Sequence, residues 1–228
     1  MKHSGKAMLA ALKLSALGLL AVIVLVAAAF VAHYLGGKIV EYYGALLVLW
    51  VFFAIFTFYF FRDPNPLTPT GTNLVVSPAH GKVDVIDTLA ENEFMGGECK
   101  RISIFLSVID VHVQKAPVTG KVAYFKHVPG QFMSATRSES AQFNENVLVG
   151  IDCFEPHGEK VGLRLIAGLI ARRIVPWINV NDPIQRGDRI SLIQFGSRVD
   201  VYLPTRAKIK VPLGQKVIGG ETVIASFD

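Results

Sequence analysis

Residues 14–32 form an apolar run without a charged side chain, and Lys2, Lys6 and Lys13 precede it. A second uncharged run covers residues 45–61. A membrane-spanning helix needs about twenty apolar residues, so the first run has spanning length and the second is at the short end. A signal peptide also begins with basic and then apolar residues, but the second run favours a helical hairpin. We therefore predict that residues 1–62 anchor the chain in a membrane, with spans of about 14–32 and 45–61.

The basic residues predict the orientation of this hairpin. Arg62 and the N-terminal lysines lie outside the two runs, whereas the link at residues 36–41 carries Lys38 offset by Glu41. The positive-inside rule then places both ends in the cytoplasm. We expect a protein of the cell (inner) membrane whose domain after the hairpin lies on the cytoplasmic side. A shallow monotopic hairpin is the alternative, because the second run is short.

A proline-rich linker, residues 63–73, follows the hairpin, since proline cannot continue a helix. From residue 74 the pattern changes to short β-branched runs broken by Gly, Pro and Asn. Strands are predicted at residues 74–76, 81–86, 101–106, 120–125, 147–151, 189–193 and 199–204. Residues 163–174 are predicted as a helix, although their isoleucines and glycine leave a strand open. Residues 74–228 should form a mainly β domain, an antiparallel sandwich or flattened barrel with one or two short helices.

The predicted β domain contains a weak internal repeat. Residues 77–83 and 116–122 share the pattern Pro-x-x-Gly-Lys-Val, and residues 211–222 form a looser third copy. These strand-turn units resemble those of lipoyl and biotinyl carrier domains. No lysine has the sequence context of a carrier modification site, so a prosthetic arm is not expected.

Charge and cysteine content limit the partners. The net charge is +5 with a pI near 9.2, but the basic residues are dispersed and no nucleic-acid-binding motif accompanies them. We expect no nucleic acid and favour an anionic membrane surface. Cys99 and Cys153 are isolated, which is typical of a reducing compartment. No residues have metal-ligand spacing, so no metal is predicted.

The dipeptide Gly196-Ser197 interrupts an apolar strand pattern. Glycine adopts backbone conformations that other residues avoid, so this peptide bond can be strained, and a serine hydroxyl held there can attack the preceding carbonyl. A simple turn or β-bulge is the alternative.

Two histidines are candidate proton carriers. On an extended backbone Asp110 and His112 face the same side, so Asp110 can orient the ring as in a general acid–base pair. A solvent-facing pair at a strand end explains the pattern equally well. His80, in a predicted turn, carries little weight by itself.

Together these residues resemble the phosphatidylserine decarboxylase proenzymes of the short bacterial and archaeal type, which are pyruvoyl-dependent. The resemblance covers about residues 60–204. It rests on seven segments in order: residues 61–64 (Phe-Arg-Asp-Pro), 77–83, 104–112, 130–132 (Gly-Gln-Phe), 144–146 (Asn-Glu-Asn), 170–175 and 195–204.

The resemblance implies a mechanism. Ser197 attacks the carbonyl of Gly196, the chain breaks between residues 196 and 197, and Ser197 becomes a pyruvoyl group. That group forms a Schiff base with the amine of a phosphatidylserine-type lipid, which loses carbon dioxide to give phosphatidylethanolamine. His112 returns a proton to the α-carbon. The products of cleavage are a membrane-bound β subunit, residues 1–196, and an α subunit, residues 197–228, which stay associated.

The sequence departs from this family in two places. His80 replaces the usual Asp of the Ser-Pro-Ala-x-Gly turn, and Lys115 replaces a second histidine of longer relatives. The base for self-cleavage is therefore predicted to be His112 or His80. Arg62, Lys115 and Arg198 are candidates for phosphate binding on charge alone.

Two other classes of protein compete with this interpretation. A non-enzymatic membrane adaptor with a carrier-like β domain would keep an intact chain and would not need Ser197. A membrane-tethered serine hydrolase would use Ser197 and His112, but the chain lacks the second glycine of a Gly-x-Ser-x-Gly elbow.

Overall fold

The computed structural model describes residues 2–34, 43–131, 143–168, 173–194 and 196–227. The chain divides into two compact units, Gly5–Asp63 and a second formed by Met1–Ser4 with Pro64–Asp228. The predicted polar link at residues 36–41, the motif residue Phe132 and Phe195 lie outside the described residues.

The first unit consists of two helices, α1 (Lys6–Tyr34) and α2 (Tyr43–Phe60). They pack on each other: the indole N–H of Trp50 donates to the Ser15 carbonyl at 3.2 Å, and a side chain at Gly18 would meet Phe53 at 3.2 Å. The stretch Lys6–Val31 of α1 is long and apolar enough to cross a membrane, whereas α2 contributes the shorter stretch Gly44–Phe60. By length, only the first of the two predicted spans reaches the size of a membrane crossing within the described residues.

The second unit is an antiparallel β structure, which confirms the predicted fold class. Its strands are β1 (Leu74–Val76), β2 (Gly81–Glu91), β3 (Gly97–Leu106), β4 (Val113–Lys115), β5 (Thr119–Val128), β6 (Asn146–Glu155), β7 (Lys160–Ala167), β8 (Ile174–Pro176), β9 (Pro183–Ile184), β10 (Arg189–Ile193), β11 (Ser197–Pro204), β12 (Lys208–Ile209), β13 (Lys216–Val217) and β14 (Val223–Ser226). An eight-stranded sheet has the order β13-β2-β3-β11-β7-β6-β5-β9. Two smaller sheets have the orders β1-β14-β12 and β4-β10-β8.

The predicted helix at residues 163–174 is wrong in its described part. Residues up to Ala167 belong to β7, and β8 begins at Ile174. Leu163, Leu165 and Ala167 belong to the main hydrophobic core, whereas Arg164 reaches Glu93 and the buried Ile166 lies outside that core. This alternation is the signature of a strand, and β7 lies between two others in the sheet. Residues 169–172 lie outside the described part.

The internal repeat corresponds to two structurally similar segments within the β unit, which we call the first and second repeat units. A side chain at Gly81 would come within 2.2 Å of the carbonyl oxygen of Phe105, and one at Gly120 within 2.4 Å of that of Asp152. Each glycine thus lets its strand approach the next strand along the chain. Both strands have an irregular register two residues later, after Val83 and after Val122. The shared pattern therefore predicts shared geometry.

The sequence analysis missed the turn that closes the second repeat unit. β13 pairs with Gly81 and Lys82, as β9 pairs with Gly120 and Lys121. The N–H groups of Gly220 and Gly187 then donate to the carbonyls of Ser77 at 2.7 Å and of Ala116 at 2.9 Å. The loose third copy is therefore the closing turn of the first repeat unit, and residues 183–190 are its counterpart in the second repeat unit.

Alanine at either repeat glycine should destabilise the β unit. Gly81→Ala and Gly120→Ala each place a Cβ against a backbone oxygen that cannot move without shifting a strand, at an expected cost of about 1–3 kcal/mol. Gly97→Ala is the matched control, because a Cβ there has nothing within 4 Å. Thermal unfolding followed by circular dichroism measures the difference. Equal midpoints for Gly81→Ala and Gly97→Ala would contradict the close approach.

Candidate active site

The Gly196-Ser197 peptide bond lies at the start of a central strand. Ser197 pairs with Leu106 of β3 on one side and with Ala167 of β7 on the other, and the register of β11 is regular along both neighbours. The bulge alternative is therefore not what β11 shows. Gly196 has φ +75°, a left-handed conformation that favours glycine. The strand is fixed from Ser197 onward, directly after a residue of unusual backbone geometry.

The carbonyl of Gly196 has a backbone donor. The N–H of Gly168, the residue after β7, donates to the Gly196 oxygen at 3.1 Å. A donor aimed at this oxygen polarises the carbonyl and stabilises the negative charge that develops when a nucleophile adds to it. The sequence carried no signal for this contact, because the donor belongs to the main chain.

The hydroxyl of Ser197 is buried beside that bond. The residue is completely buried, and its Oγ has no hydrogen-bond partner within the described residues. A buried polar atom without a partner is unfavourable, so such atoms are rare in folded proteins and call for a reason. A hydroxyl that is consumed in a reaction is such a reason.

His112 presents an unprotonated nitrogen to the same backbone. Its Nε2 accepts the N–H of Gly196 at 3.0 Å, and its Nδ1 lies 2.8 Å from the carbonyl oxygen of Asp110. A carbonyl only accepts, so Nδ1 carries the proton and Nε2 bears the lone pair. The ring is completely buried and is held as a neutral imidazole against Gly196, the residue directly before Ser197.

The backbone of His112 is fixed by β10. Its carbonyl accepts the N–H of Ile193 at 3.1 Å and the side-chain amide of Gln114 at 2.8 Å. The Gln114 amide oxygen in turn accepts the hydroxyl of Ser191 at 2.7 Å. Gln114 and Ser191 are both completely buried, and the sequence analysis did not single them out.

Asp110 contacts His112 by a route other than the predicted one. Its carboxylate accepts the N–H and the hydroxyl of Ser107, both at 2.8 Å, and its main-chain carbonyl faces the ring. The prediction assumed an extended backbone, but residues 107–110 form a turn, in which the N–H of Asp110 donates to the Ser107 carbonyl. The carboxylate therefore closes the turn and does not orient the imidazole.

The remaining candidates lie in other surroundings. His80 Nδ1 accepts the N–H of Gly219 at 3.3 Å, in the closing turn of the first repeat unit. Lys115 is completely buried in β4. Arg198 forms a two-pronged ion pair with Asp84, and the guanidinium of Arg62 lies 4.1 Å over the Tyr59 ring.

Three buried ionisable groups of the β unit have a raised pKa, because burial disfavours their charged forms. Burial raises the pKa of Asp200, which follows Ser197 on β11, and nearby Arg101 and Arg198 oppose the shift. Burial raises the pKa of the Cys99 thiol to about 11 and that of Cys153 to about 12. Neither thiol is a nucleophile at neutral pH, because only the thiolate reacts.

A buried serine follows a left-handed glycine whose carbonyl accepts a backbone N–H and whose own N–H contacts an imidazole, and these are the groups that an acyl shift at this peptide bond requires. The family model described as phosphatidylserine decarboxylase matches residues 53–225. The phosphatidylserine decarboxylase proenzyme of Desulfotalea psychrophila is 47% identical over 172 residues, which are 75% of this chain and 79% of that protein. The chain therefore belongs to the phosphatidylserine decarboxylase family, a family of enzymes. This confirms the resemblance and sets aside the adaptor and the hydrolase.

Proposed function

We propose that this chain cleaves itself between Gly196 and Ser197 and that the mature protein decarboxylates phosphatidylserine to phosphatidylethanolamine. The observation that carries the proposal is the set of contacts made by the backbone of Gly196. Gly168 donates to its carbonyl, and His112 contacts the N–H of the same glycine at 3.0 Å. The family of the chain supports the same reaction.

The first step moves an acyl group from nitrogen to oxygen. Ser197 Oγ adds to the carbonyl carbon of Gly196 while His112 Nε2 takes the hydroxyl proton. The Gly168 N–H stabilises the negative oxygen. The carbon–nitrogen bond then breaks, and the proton passes to the nitrogen of Ser197, which becomes a free amine. The chain is now joined through an ester.

The second step breaks the chain. Loss of the α-proton of Ser197 and of its Cβ–oxygen bond leaves a carboxylate on Gly196 and a dehydroalanine at the new N-terminus. This tautomerises to an imine, which water hydrolyses with release of ammonia, leaving a pyruvoyl group. The buried hydroxyl of Ser197, which has no partner within the described residues, fits conversion into such a group.

The strand pairing supports a lasting association of the two proposed products. β11 of the α subunit pairs with β3 and β7, β13 pairs with β2, and β14 pairs with β1. All these partner strands belong to residues 1–196. Dissociation would break two sheets and expose their common core, so we propose a stable α/β heterodimer.

When formed, the pyruvoyl group supplies a carbonyl that binds the substrate amine and withdraws electrons as carbon dioxide leaves. After cleavage, His112 Nε2 takes up a proton and donates it to the carbon that has lost the carboxyl group. The rim of the site suits a lipid: Val108 and Ile109 are exposed, and Val108 lies against Gly196. The apolar helix α1 keeps the enzyme at the bilayer, with the β unit on the cytoplasmic side as the lysines predict.

The reaction can be tested with the purified full chain in lipid nanodiscs containing phosphatidylserine. We expect phosphatidylethanolamine by mass spectrometry, complete inhibition by the carbonyl reagent phenylhydrazine, and an unchanged rate after treatment with EDTA. Phenylhydrazine should inhibit because it reacts with the ketone in the site. EDTA should have no effect because the proposed mechanism draws electrons into that ketone. Activity that survives phenylhydrazine would contradict the proposal.

A further inference from the structure

The donor to the scissile carbonyl is held by a buried side chain outside the site described so far. Asn144 is almost completely buried, and its Nδ2 donates to the carbonyl oxygen of Ala167 at 2.7 Å. The N–H of Ala167 donates to the carbonyl of Glu145 at 2.9 Å. The end of β7 is therefore fastened to residues 144 and 145 by two hydrogen bonds.

One peptide unit connects Asn144 to the bond that breaks. The carbonyl of Ala167 and the N–H of Gly168 belong to the same amide plane. Its oxygen accepts from Asn144, and its nitrogen donates to the oxygen of Gly196 at 3.1 Å. Hydrogen bonds in such a chain strengthen one another, because an amide whose oxygen accepts becomes a better donor at nitrogen.

We propose that Asn144 is a positioning residue for self-cleavage. It fixes the plane of the Ala167–Gly168 peptide, aims the Gly168 N–H at the Gly196 oxygen and makes that N–H a stronger donor. Asn144 acts only through this peptide and does not touch the reacting atoms. The inference rests on the proposed cleavage between residues 196 and 197.

The charge state of residue 144 separates a positioning role from simple packing. In Asn144→Asp, the ionised carboxylate only accepts and faces the Ala167 oxygen, so the brace is lost. A protonated carboxyl donates again. The cleavage rate of this variant, divided by that of the wild type at the same pH, should therefore rise as the pH is lowered toward the ordinary carboxyl pKa. A residue that merely fills space would give a constant ratio.

The reaction step that is slowed in Asn144→Ala shows where Asn144 acts. Without the brace the Gly168 donor weakens, so Asn144→Ala should form the ester more slowly, by about tenfold or more given that loss of a whole oxyanion donor costs about 10²–10³. Hydroxylamine cleaves esters, so it should not restore cleavage of this variant. Asn146→Ala is the matched control: Asn146 is also buried, but its amide donates to the Asn144 carbonyl and not to the donor peptide.

The experiment follows cleavage of freshly synthesised full chain on denaturing gels, with and without hydroxylamine, alongside thermal unfolding of each variant. The inference predicts that Asn144→Ala cleaves slowly and is not rescued by hydroxylamine, that Asn146→Ala cleaves normally, and that Asn144→Asp is slow but recovers at low pH. It is overturned if Asn144→Ala cleaves at the wild-type rate, if Asn146→Ala is slowed equally, if hydroxylamine restores cleavage, or if the Asn144→Asp ratio is flat. A wild-type chain that stays intact would instead refute the proposed function.

Discussion

Ser197→Ala should leave the protein as one chain of 228 residues with no decarboxylase activity. The substitution removes the only atom that can add to the Gly196 carbonyl from the next residue, and it also removes the source of the pyruvoyl group. The loss should be complete, because no smaller effect is compatible with a missing reactant. A denaturing gel and assay of phosphatidylethanolamine measure both results.

Ser103→Ala is the matched control for this variant. Ser103 is also a buried serine of the same sheet. It lies on β3 opposite Asp200, away from the Gly196 carbonyl. We expect Ser103→Ala to cleave normally. If Ser197→Ala still yields two fragments, the nucleophile has been assigned to the wrong residue.

His112→Ala should slow self-cleavage by about 10²–10⁴, the usual contribution of a general base. Its Nε2 accepts the N–H of Gly196. The variant leaves a buried space beside that backbone, so added imidazole should restore part of the rate. The time course of fragment formation, with and without imidazole, measures the effect.

His80→Ala tests the competing base. Its ring accepts the Gly219 N–H, which belongs to the closing turn of a repeat unit. We therefore expect His80→Ala to cleave at close to the wild-type rate. Wild-type rates in both single variants would show that neither histidine takes the proton of Ser197.

The local sequence predicted the bounds of some strands well, but it carried no information about their partners in the sheet. The runs at residues 74–76 and 189–193 became β1 and β10 with the predicted bounds, because β-branched residues between turn formers have few other options. Residues 163–174 were ambiguous for a physical reason. Leucine and alanine are good helix formers, and the partners that make β7 a strand lie on either side in the sheet but far away in the chain.

The side chains of the candidate site could be predicted from the sequence, because the proposed chemistry needs particular residue types. Ser197 and His112 stood out by type, and the structure places the His112 ring against Gly196, directly before Ser197. The Gly168 donor was invisible, because any residue provides a backbone N–H. The role expected of the Asp110 carboxylate failed because a turn replaced the extended backbone assumed for residues 107–110.

The intact mass of the purified, active protein tests the account most directly. The account predicts two chains, residues 1–196 and 197–228. The smaller chain should be lighter than the same peptide with an N-terminal serine, by the difference in mass between serine and a pyruvoyl group. A single chain of 228 residues in a preparation that decarboxylates phosphatidylserine would contradict it.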